Sequence, residues 1–180
     1  MKIAISAQQI VHFRKFGRVS FEEIPLDMNA IAKHTHKTTP TRDLWRSTPA
    51  LKKWILRTLG PIALELTGRP RLRLACDQTI YPPLPESPLQ DLFCFQGLAC
   101  ICVLSQNPES PEQNPSLDIF EPSCLTSWIS PNASYLVALA VENSLIINNP
   151  QDPLTLPTRN LGYVFGDHLR NELHPLILRS

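Results

Sequence analysis

The sequence predicts an α+β protein, an antiparallel double-stranded β-helix (jelly roll) with N-terminal helices packed on its sheets. Residues 1–68 carry helix signals, and residues 69–180 carry mainly short strand signals. Most of the 18 prolines fall between residues 82 and 157, which favours short strands and long loops over long helices. Residues 97–104 are apolar on both sides, as in a strand at the middle of a packed sheet. The length of 180 residues predicts a single domain, residues 1–180.

The first predicted helix runs from Ser6 to Phe16. Ser6 can cap its first turn, Gln9 stands at the reciprocal capping-box position, and Gly17 can end the helix in the left-handed conformation. A short strand is predicted over Val19–Ile24, and a second helix over Met28–Lys33.

A third helix is predicted to begin at Pro49, because proline is favoured at the first helical position. Its apolar stripe recurs at helical spacing: Leu51, Trp54, Ile55 and Leu59. Gly60-Pro61 is expected to break or kink this helix, which then continues to Gly68.

From Arg71 the period of the pattern changes to two, since Arg71, Arg73 and Ala75 alternate with apolar neighbours. This alternation predicts a half-buried strand. Further predicted strands are Leu117–Phe120, Tyr135–Val141, Leu145–Ile147 and Tyr163–Phe165. A turn is expected at Gly166-Asp167, and the segment 174–178 closes the chain.

The five cysteines are expected to be reduced and mostly buried, because they are odd in number and mostly lie in apolar strand contexts. Residues 1–20 lack the continuous apolar core of a signal peptide, and no uncharged apolar run is long enough to span a bilayer. These features predict a cytoplasmic protein without a membrane partner.

The formal net charge of +1 conceals an asymmetry between the two parts of the chain. Residues 1–73 hold 14 Lys/Arg and 5 Asp/Glu, whereas residues 74–180 hold 3 Lys/Arg and 11 Asp/Glu. A basic N-terminal half is a feature of nucleic-acid binders. The interpretation we favour here is that basic helices neutralise an acidic sheet within one molecule, which disfavours nucleic acid as a partner.

Two small groups of histidines are candidate metal sites. His34 and His36 lie one residue apart and would point the same way in an extended segment. No third ligand at a fixed spacing accompanies them, so solvated loop histidines are the favoured interpretation. His168 and His174 lie near Asp167 and Glu172, and a solvated segment is favoured there because nucleophile and cofactor motifs are absent.

Three segments together resemble the phytanoyl-CoA dioxygenase-like branch of the iron- and 2-oxoglutarate-dependent oxygenases. Residues 5–17, followed by a strand and a short helix, resemble that family's first helix. Residues 114–123 resemble its Asn-Gly-x-Leu strand running into Pro-Gly-Ser-His, and residues 131–134 resemble the Pro-Asn-x-Ser after its distal histidine. The resemblance covers residues 5 to about 141 and implies a jelly roll.

The resemblance also implies a site in which two histidines and a carboxylate bind Fe(II), and a basic residue holds the far carboxylate of 2-oxoglutarate. The corresponding positions are Leu89 for the first histidine, Asp91 for the carboxylate, Ser127 or Trp128 for the distal histidine, and Leu136 or Val137 for the basic residue. Asp91 is therefore the one matching group.

The pattern also resembles an uncharacterised chlamydial family that keeps an oxygenase-like jelly roll without its metal site, including residues 160–163 and 166–167. The resemblance predicts a non-catalytic binding or regulatory protein with a degenerate metal site and no cofactor, whose partner is a small molecule or a protein. One alternative is a metal-dependent oxygenase that uses unaligned ligands, drawn from His34, His36, Asp91, His168 and His174. Another is a nucleic-acid-binding regulator that uses the basic half.

Overall fold

The structure is a computed structural model that describes residues 3–24, 26, 28, 31, 41–80, 93–106, 114–127, 132–152 and 155–179. The helices are α1 (Ala7–Phe16), α2 (Leu44–Ser47), α3 (Pro49–Trp54), α4 (Gly60–Thr67) and α5 (Thr155–Asn160). The strands are β1 (Arg18–Phe21), β2 (Arg71–Thr79), β3 (Phe95–Ser105), β4 (Ser116–Phe120), β5 (Ala133–Ile146) and β6 (Leu176–Leu178). A π-helical turn, Ile55–Leu59, joins α3 to α4, and a 3₁₀ helix, Pro122–Ser127, follows β4.

The strands form one six-stranded sheet in the order β1-β4-β3-β5-β2-β6, and every neighbouring pair is antiparallel. Ile101 on β3 lies opposite Phe120 on β4 and Ala138 on β5. The prediction of a buried strand in the middle of a sheet is therefore confirmed. Helices and an antiparallel sheet together also confirm the α+β class.

The two faces of the sheet are covered by different parts of the chain. Phe13 of α1 and Leu66 of α4 pack in one apolar cluster with Leu72 on β2. On the opposite face, Ile101 belongs to a second cluster, which includes Tyr163 from the segment after α5. We call this second face, whose apolar cluster contains Ile101 and Tyr163, the covered face. Because both faces are buried, the central strands are apolar on both sides.

The sheet curls at one end because β3 and β5 continue past the end of β2. Strand β2 pairs with β5 only as far as Val141, whereas β5 runs on to Ile146, opposite Phe95. Two register shifts in the pairing of β3 with β5 flank Leu98, and Gly97, at the first of them, has a φ of +84°. Bulges of this kind bend a strand and increase its twist. The curl brings Phe95 and Ile146 into the cluster on the covered face.

Helix α1 has the predicted ends. The Ser6 hydroxyl accepts a hydrogen bond from the Gln9 backbone N–H at 3.2 Å, and the Gln9 side chain accepts one from the Ser6 N–H at 2.9 Å. Gly17 adopts a φ of +68° and donates to the Phe13 carbonyl at 2.7 Å. The predicted capping box and the glycine stop are both confirmed.

At the predicted break or kink before Gly60-Pro61, a π-helical turn interrupts the α-helix, and α-helix resumes at Gly60. Proline lacks the N–H that would bond four residues back, and its ring needs extra space in the preceding turn. The π-helical turn supplies this space, with the Gly60 N–H donating to the carbonyl of Ile55. Gly60 also allows close packing of β6, since a Cβ there would lie 2.6 Å from a methyl carbon of Ile177.

Three strand predictions need correction. Strand β2 is buried along its length from Leu72, not half-buried, because both faces of the sheet are covered. The two strands predicted over Tyr135–Val141 and Leu145–Ile147 are one strand, β5. The predicted strand Tyr163–Phe165 is instead part of a turn, in which the Val164 N–H donates to the Asp167 carboxylate at 2.9 Å.

The predicted helix over Met28–Lys33 lies largely outside the described residues, although Met28 and Ile31 are described and buried. The described cysteines are all free, and Cys76, Cys94, Cys100 and Cys102 are buried as predicted. In the described part of the chain, no helix has the length and apolar character needed to cross a membrane.

Candidate functional site

Most of the candidate metal-site positions, whether assigned by the resemblance or as unaligned ligands, lie outside the described residues. These positions are His34, His36, Leu89, Asp91 and Trp128. The backbone of Ser127 ends the 3₁₀ helix, and its side chain is not described. The structure therefore places four of the candidate residues: Leu136, Val137, His168 and His174.

Leu136 and Val137 occupy the region where the resemblance expects a basic residue. Leu136 is 0% exposed and points to the covered face, where it belongs to one cluster with Val103, the residue opposite it on β3. Val137 points to the helices and packs in the other cluster. Neither side chain can pair with a carboxylate. The region that would bind 2-oxoglutarate in the family carries packed apolar side chains here.

The space above the covered face is filled by large side chains. Phe93 and Phe95 come from the start of β3, Tyr163 and Leu169 from the segment after α5, and all four are buried in the same cluster as Leu136. Within the part of the chain that the structure describes, this arrangement is that of a close-packed protein interior. This part of the fold is a packed core.

His174 lies beside this core, next to Phe95 and Tyr163, and is 2% exposed. Its Nδ1 is 2.9 Å from the Ala75 carbonyl, which can only accept a hydrogen bond, so Nδ1–H donates. The rings of Phe95 and Tyr163 lie 5.6 and 5.7 Å away, between centroids. Burial, reinforced by the charge of Arg46, lowers the pKa of His174 to about 4.

His168 is exposed, and its backbone forms an isolated bridge with Leu145. The fold therefore separates the two histidines, one into the core and one onto the surface. Within the described ranges, no three His, Cys, Asp or Glu side chains come together in a way that could hold a metal ion.

A buried arginine fixes the backbone around His174. The Nε of Arg73 donates to the Glu142 carbonyl at 2.7 Å, and its Nη1 donates to Asn171 Oδ1 at 2.6 Å and to the His174 carbonyl at 3.2 Å. Arg73 thus joins β2, the end of β5 and the C-terminal segment. The alternating pattern placed this side chain on an exposed face, and the contacts that bury it come from about 70 to 100 residues away.

A second buried charge lies near the start of β3. Asp152, whose side chain is fully buried, forms an ion pair with Arg42 and accepts a hydrogen bond from the Cys94 N–H. Burial and the charge of Asp152 raise the pKa of the Cys94 thiol to about 12. A thiol with this pKa stays protonated at neutral pH and is a poor nucleophile. The ion pair therefore has a structural role.

A third polar group, Asp77, lies on the helix-facing side of β2. Its Oδ2 accepts hydrogen bonds from the Tyr135 hydroxyl and from the Trp45 N–H, the latter at 2.9 Å. Its backbone carbonyl accepts from the Asp43 N–H at 3.0 Å, so Asp77 holds the start of α2 against the sheet. Burial raises the pKa of Asp77 to about 7. A lone carboxylate within an apolar strand was the sequence signal that could have identified it.

A small pocket lies at the end of β5, beside the turn that carries Phe165. It is lined by Ile146, Asn148, Thr158, Arg159, Tyr163 and Phe165, among others, and has a volume of about 20 Å³. This volume suits about one water molecule. Pockets for small-molecule ligands are typically more than tenfold larger.

Comparisons with known proteins show the fold. No family model and no curated protein matches the sequence. The non-heme α-ketoglutarate-dependent carbocyclase SnoK from nogalamycin biosynthesis superposes with a TM-score of 0.68 at 15% identity, over 96% of each chain. The epimerase SnoN, solved with Fe³⁺, α-ketoglutarate and nogalamycin RO, gives 0.59 at 11% identity, over 94% of this chain and 97% of SnoN.

A further similar structure is that of CT296 from Chlamydia trachomatis, with a TM-score of 0.53 at 17% identity, over 78% of this chain and 97% of CT296. The resemblance to the oxygenases and to the chlamydial protein is thereby confirmed at the level of the fold. At these identities the likeness carries no information on activity.

Proposed function

We propose that this protein is a non-catalytic binding or regulatory protein on a double-stranded β-helix scaffold of the non-heme iron oxygenase type, with a degenerate metal site. In this proposal residues 1–180 form one domain, which acts in the cytoplasm on a small-molecule or protein partner. Free, buried cysteines are in keeping with a reducing compartment.

The observation that carries the proposal is the packing of Leu136. An oxygenase of this type needs a guanidinium or ammonium group to hold the far carboxylate of 2-oxoglutarate. Leu136 is instead packed against its apolar neighbours on the covered face. Burying a carboxylate against such a face without a partner is strongly unfavourable.

The residues at the positions that the resemblance assigns to metal ligands support the same conclusion. Leu89 stands where an imidazole is required, and Ser127 or Trp128 stands at the second histidine position. Asp91 supplies one oxygen ligand. Fe(II) in this site type needs two imidazoles and a carboxylate, and water in place of both imidazoles forfeits most of the affinity.

An anaerobic Fe(II) titration in the presence of 2-oxoglutarate tests the proposal. We expect no stoichiometric iron binding, no metal-to-ligand absorption band and no succinate release. The variant Leu89→His/Ser127→His should gain iron binding without turnover, because the basic group for 2-oxoglutarate is still missing. The variant with Asp91→Ala added serves as its matched control and should lose the iron again.

Stoichiometric iron with succinate release by the unaltered protein would contradict the proposal. The alternative, a metal-dependent oxygenase with ligands drawn from His34, His36, Asp91, His168 and His174, would then replace it. Single alanine variants at these five positions would identify which of them hold the metal.

A further inference from the structure

The outer surface of the helices carries a row of exposed cations. Lys53 and Arg57 lie one turn apart along α3 and the π-helical turn, and Arg69 follows the end of α4. Arg14 of α1 continues the row, since its Nη2 lies 3.2 Å from where a Cβ of Gly68 would be. Lys15 is exposed beside Arg14. We call these five residues the cationic row.

Among the described residues, none of the five side chains of the cationic row forms an ion pair with a carboxylate. In the part of the chain that the structure describes, the ion pairs between the basic and the acidic halves are Arg42–Asp152 and Arg71–Glu142. The helices themselves carry one carboxylate, Glu65, against the whole row. A row of like charges held on rigid helices is a fitting surface for a polyanion.

The row ends beside an exposed aromatic side chain. Phe16 is 52% exposed, its ring centroid lies 4.6 Å from that of His12, and the Lys15 ammonium lies 5.0 Å from it. An aromatic ring flanked by cations is the arrangement in which proteins stack an unpaired base while holding the neighbouring phosphates. Arg14 and Lys15 also stabilise the carboxyl end of α1, whereas Lys53 and Arg57 lie within the helical stretch that runs from α3 through the π-helical turn to α4.

We propose that the outer face of the helices binds single-stranded nucleic acid, with the cationic row on the phosphates and Phe16 stacked on a base. One line of cations follows one backbone, and the bases of a duplex are not free to stack on a side chain. A membrane surface would require a broad apolar face. Among the described residues, α1 exposes Val11 and Phe16, and α3 and α4 expose no large apolar side chain. The site lies across the sheet from the covered face and is independent of the proposed function.

Fluorescence anisotropy with a labelled oligothymidine of about 15 nucleotides tests the proposal. Binding should weaken as salt rises, with a slope of log K against log salt near −0.7 for each phosphate contacted. Lys53→Gln/Arg57→Gln should reduce the steepness of that slope by about 1.4. Phe16→Ala should weaken binding by about tenfold and leave the slope unchanged.

The chain offers matched controls on other surfaces. Arg159 and Arg170 are exposed, Arg170 over the ring of Tyr163, and Phe165 is 75% exposed in a turn beside the covered face. Arg159→Gln/Arg170→Gln and Phe165→Ala should bind like the unaltered protein, and thermal melting should show that every variant is folded. No binding at low salt, equal losses in the controls, or tighter binding to duplex or to phosphatidylserine vesicles would overturn the proposal.

Discussion

Two buried titratable groups on opposite sides of the sheet have opposite effects on how stability depends on pH. The pKa of Asp77 is raised to about 7, and the pKa of His174 is lowered to about 4. Burial is the main cause of both shifts, because it disfavours the charged form of each group. The charge of Asp43 raises the pKa of Asp77 further, and the charge of Arg46 lowers that of His174 further.

For Asp77, the shift from the ordinary value of 3.8 is about three units, or about 4 kcal/mol. The folded protein binds this proton more tightly than the unfolded chain does. The stabilisation is therefore fully present below pH 3.8 and is lost as the pH rises to about 7.

For His174, the shift from 6.5 to about 4 corresponds to about 3 kcal/mol. Here the unfolded chain binds the proton more tightly. The stabilisation is fully present above pH 6.5 and is lost as the pH falls to about 4.

Between pH 4 and 6.5 the fall in the free energy of unfolding that Asp77 causes and the rise that His174 causes nearly cancel. Variants that remove one of the two groups should therefore reveal the effect of the other. In Asp77→Asn, the free energy of unfolding should rise by about 3 kcal/mol from pH 4 to 6.5, relative to the unaltered protein. In His174→Asn, it should fall by about 3 to 4 kcal/mol from pH 4 to 7. Asparagine keeps an acceptor for Tyr135 and Trp45 in the first variant, and a donor for the Ala75 carbonyl in the second.

Urea unfolding followed by circular dichroism at several pH values measures these profiles. His168→Asn and Glu172→Gln, at exposed positions, are matched controls and should reproduce the profile of the unaltered protein. The assignment would be refuted if the free energy of unfolding of Asp77→Asn and His174→Asn depended on pH as in the unaltered protein, or changed with pH in the opposite direction.

Two further predictions concern the fold. Ser6→Ala should lower the free energy of unfolding, measured in urea, by about 1 kcal/mol, because the helix cap is lost. Gln8→Ala, at an exposed position of the same helix, is the control and should leave the free energy of unfolding unchanged. Equal effects of the two variants would contradict this prediction. Ile101→Asp should abolish soluble expression, because it buries an unpaired charge between β4 and β5. Val164→Asp, on an exposed turn, should express normally, and normal melting of Ile101→Asp would show that the strand is wrongly placed.

Features that depend on neighbouring residues were predictable from the sequence. The capping box of α1 spans four residues, from Ser6 to Gln9, and the centre of β3 is marked by a local run of apolar residues. The Gly60-Pro61 pair predicted a break or kink in the helix, and the chain forms a π-helical turn directly before this pair. The pair alone could not predict the form of this irregularity, or that β6 packs against Gly60.

The polar groups in the core were not predictable, since their partners are distant in sequence. Asp77 bonds to Tyr135, 58 residues away, and Arg73 bonds to Asn171, 98 residues away. An alternating pattern places Arg73 on a solvated face, and only the coverage of both faces of the sheet reverses that assignment. The apolar character of Leu136 was visible in the sequence, but its packing on the covered face was not.

The buried charges explain how the covered face came to be closed. Asp152 ties the end of the curled strands to Arg42, and Arg73 ties the segment before β6 to β2. Removing one partner of the buried Arg42–Asp152 ion pair is costly, and so is removing the acceptors of the buried Arg73, because either change leaves a buried charge without a partner. These contacts therefore help to fix the arrangement in which Phe95 and Tyr163 pack in one cluster with Leu136. A ligand that entered this cluster would have to displace both rings. We therefore infer that the small-molecule or protein partner of the proposed function is recognised on the outside of the protein, and that binding of nucleic acid to the cationic row is a separate property.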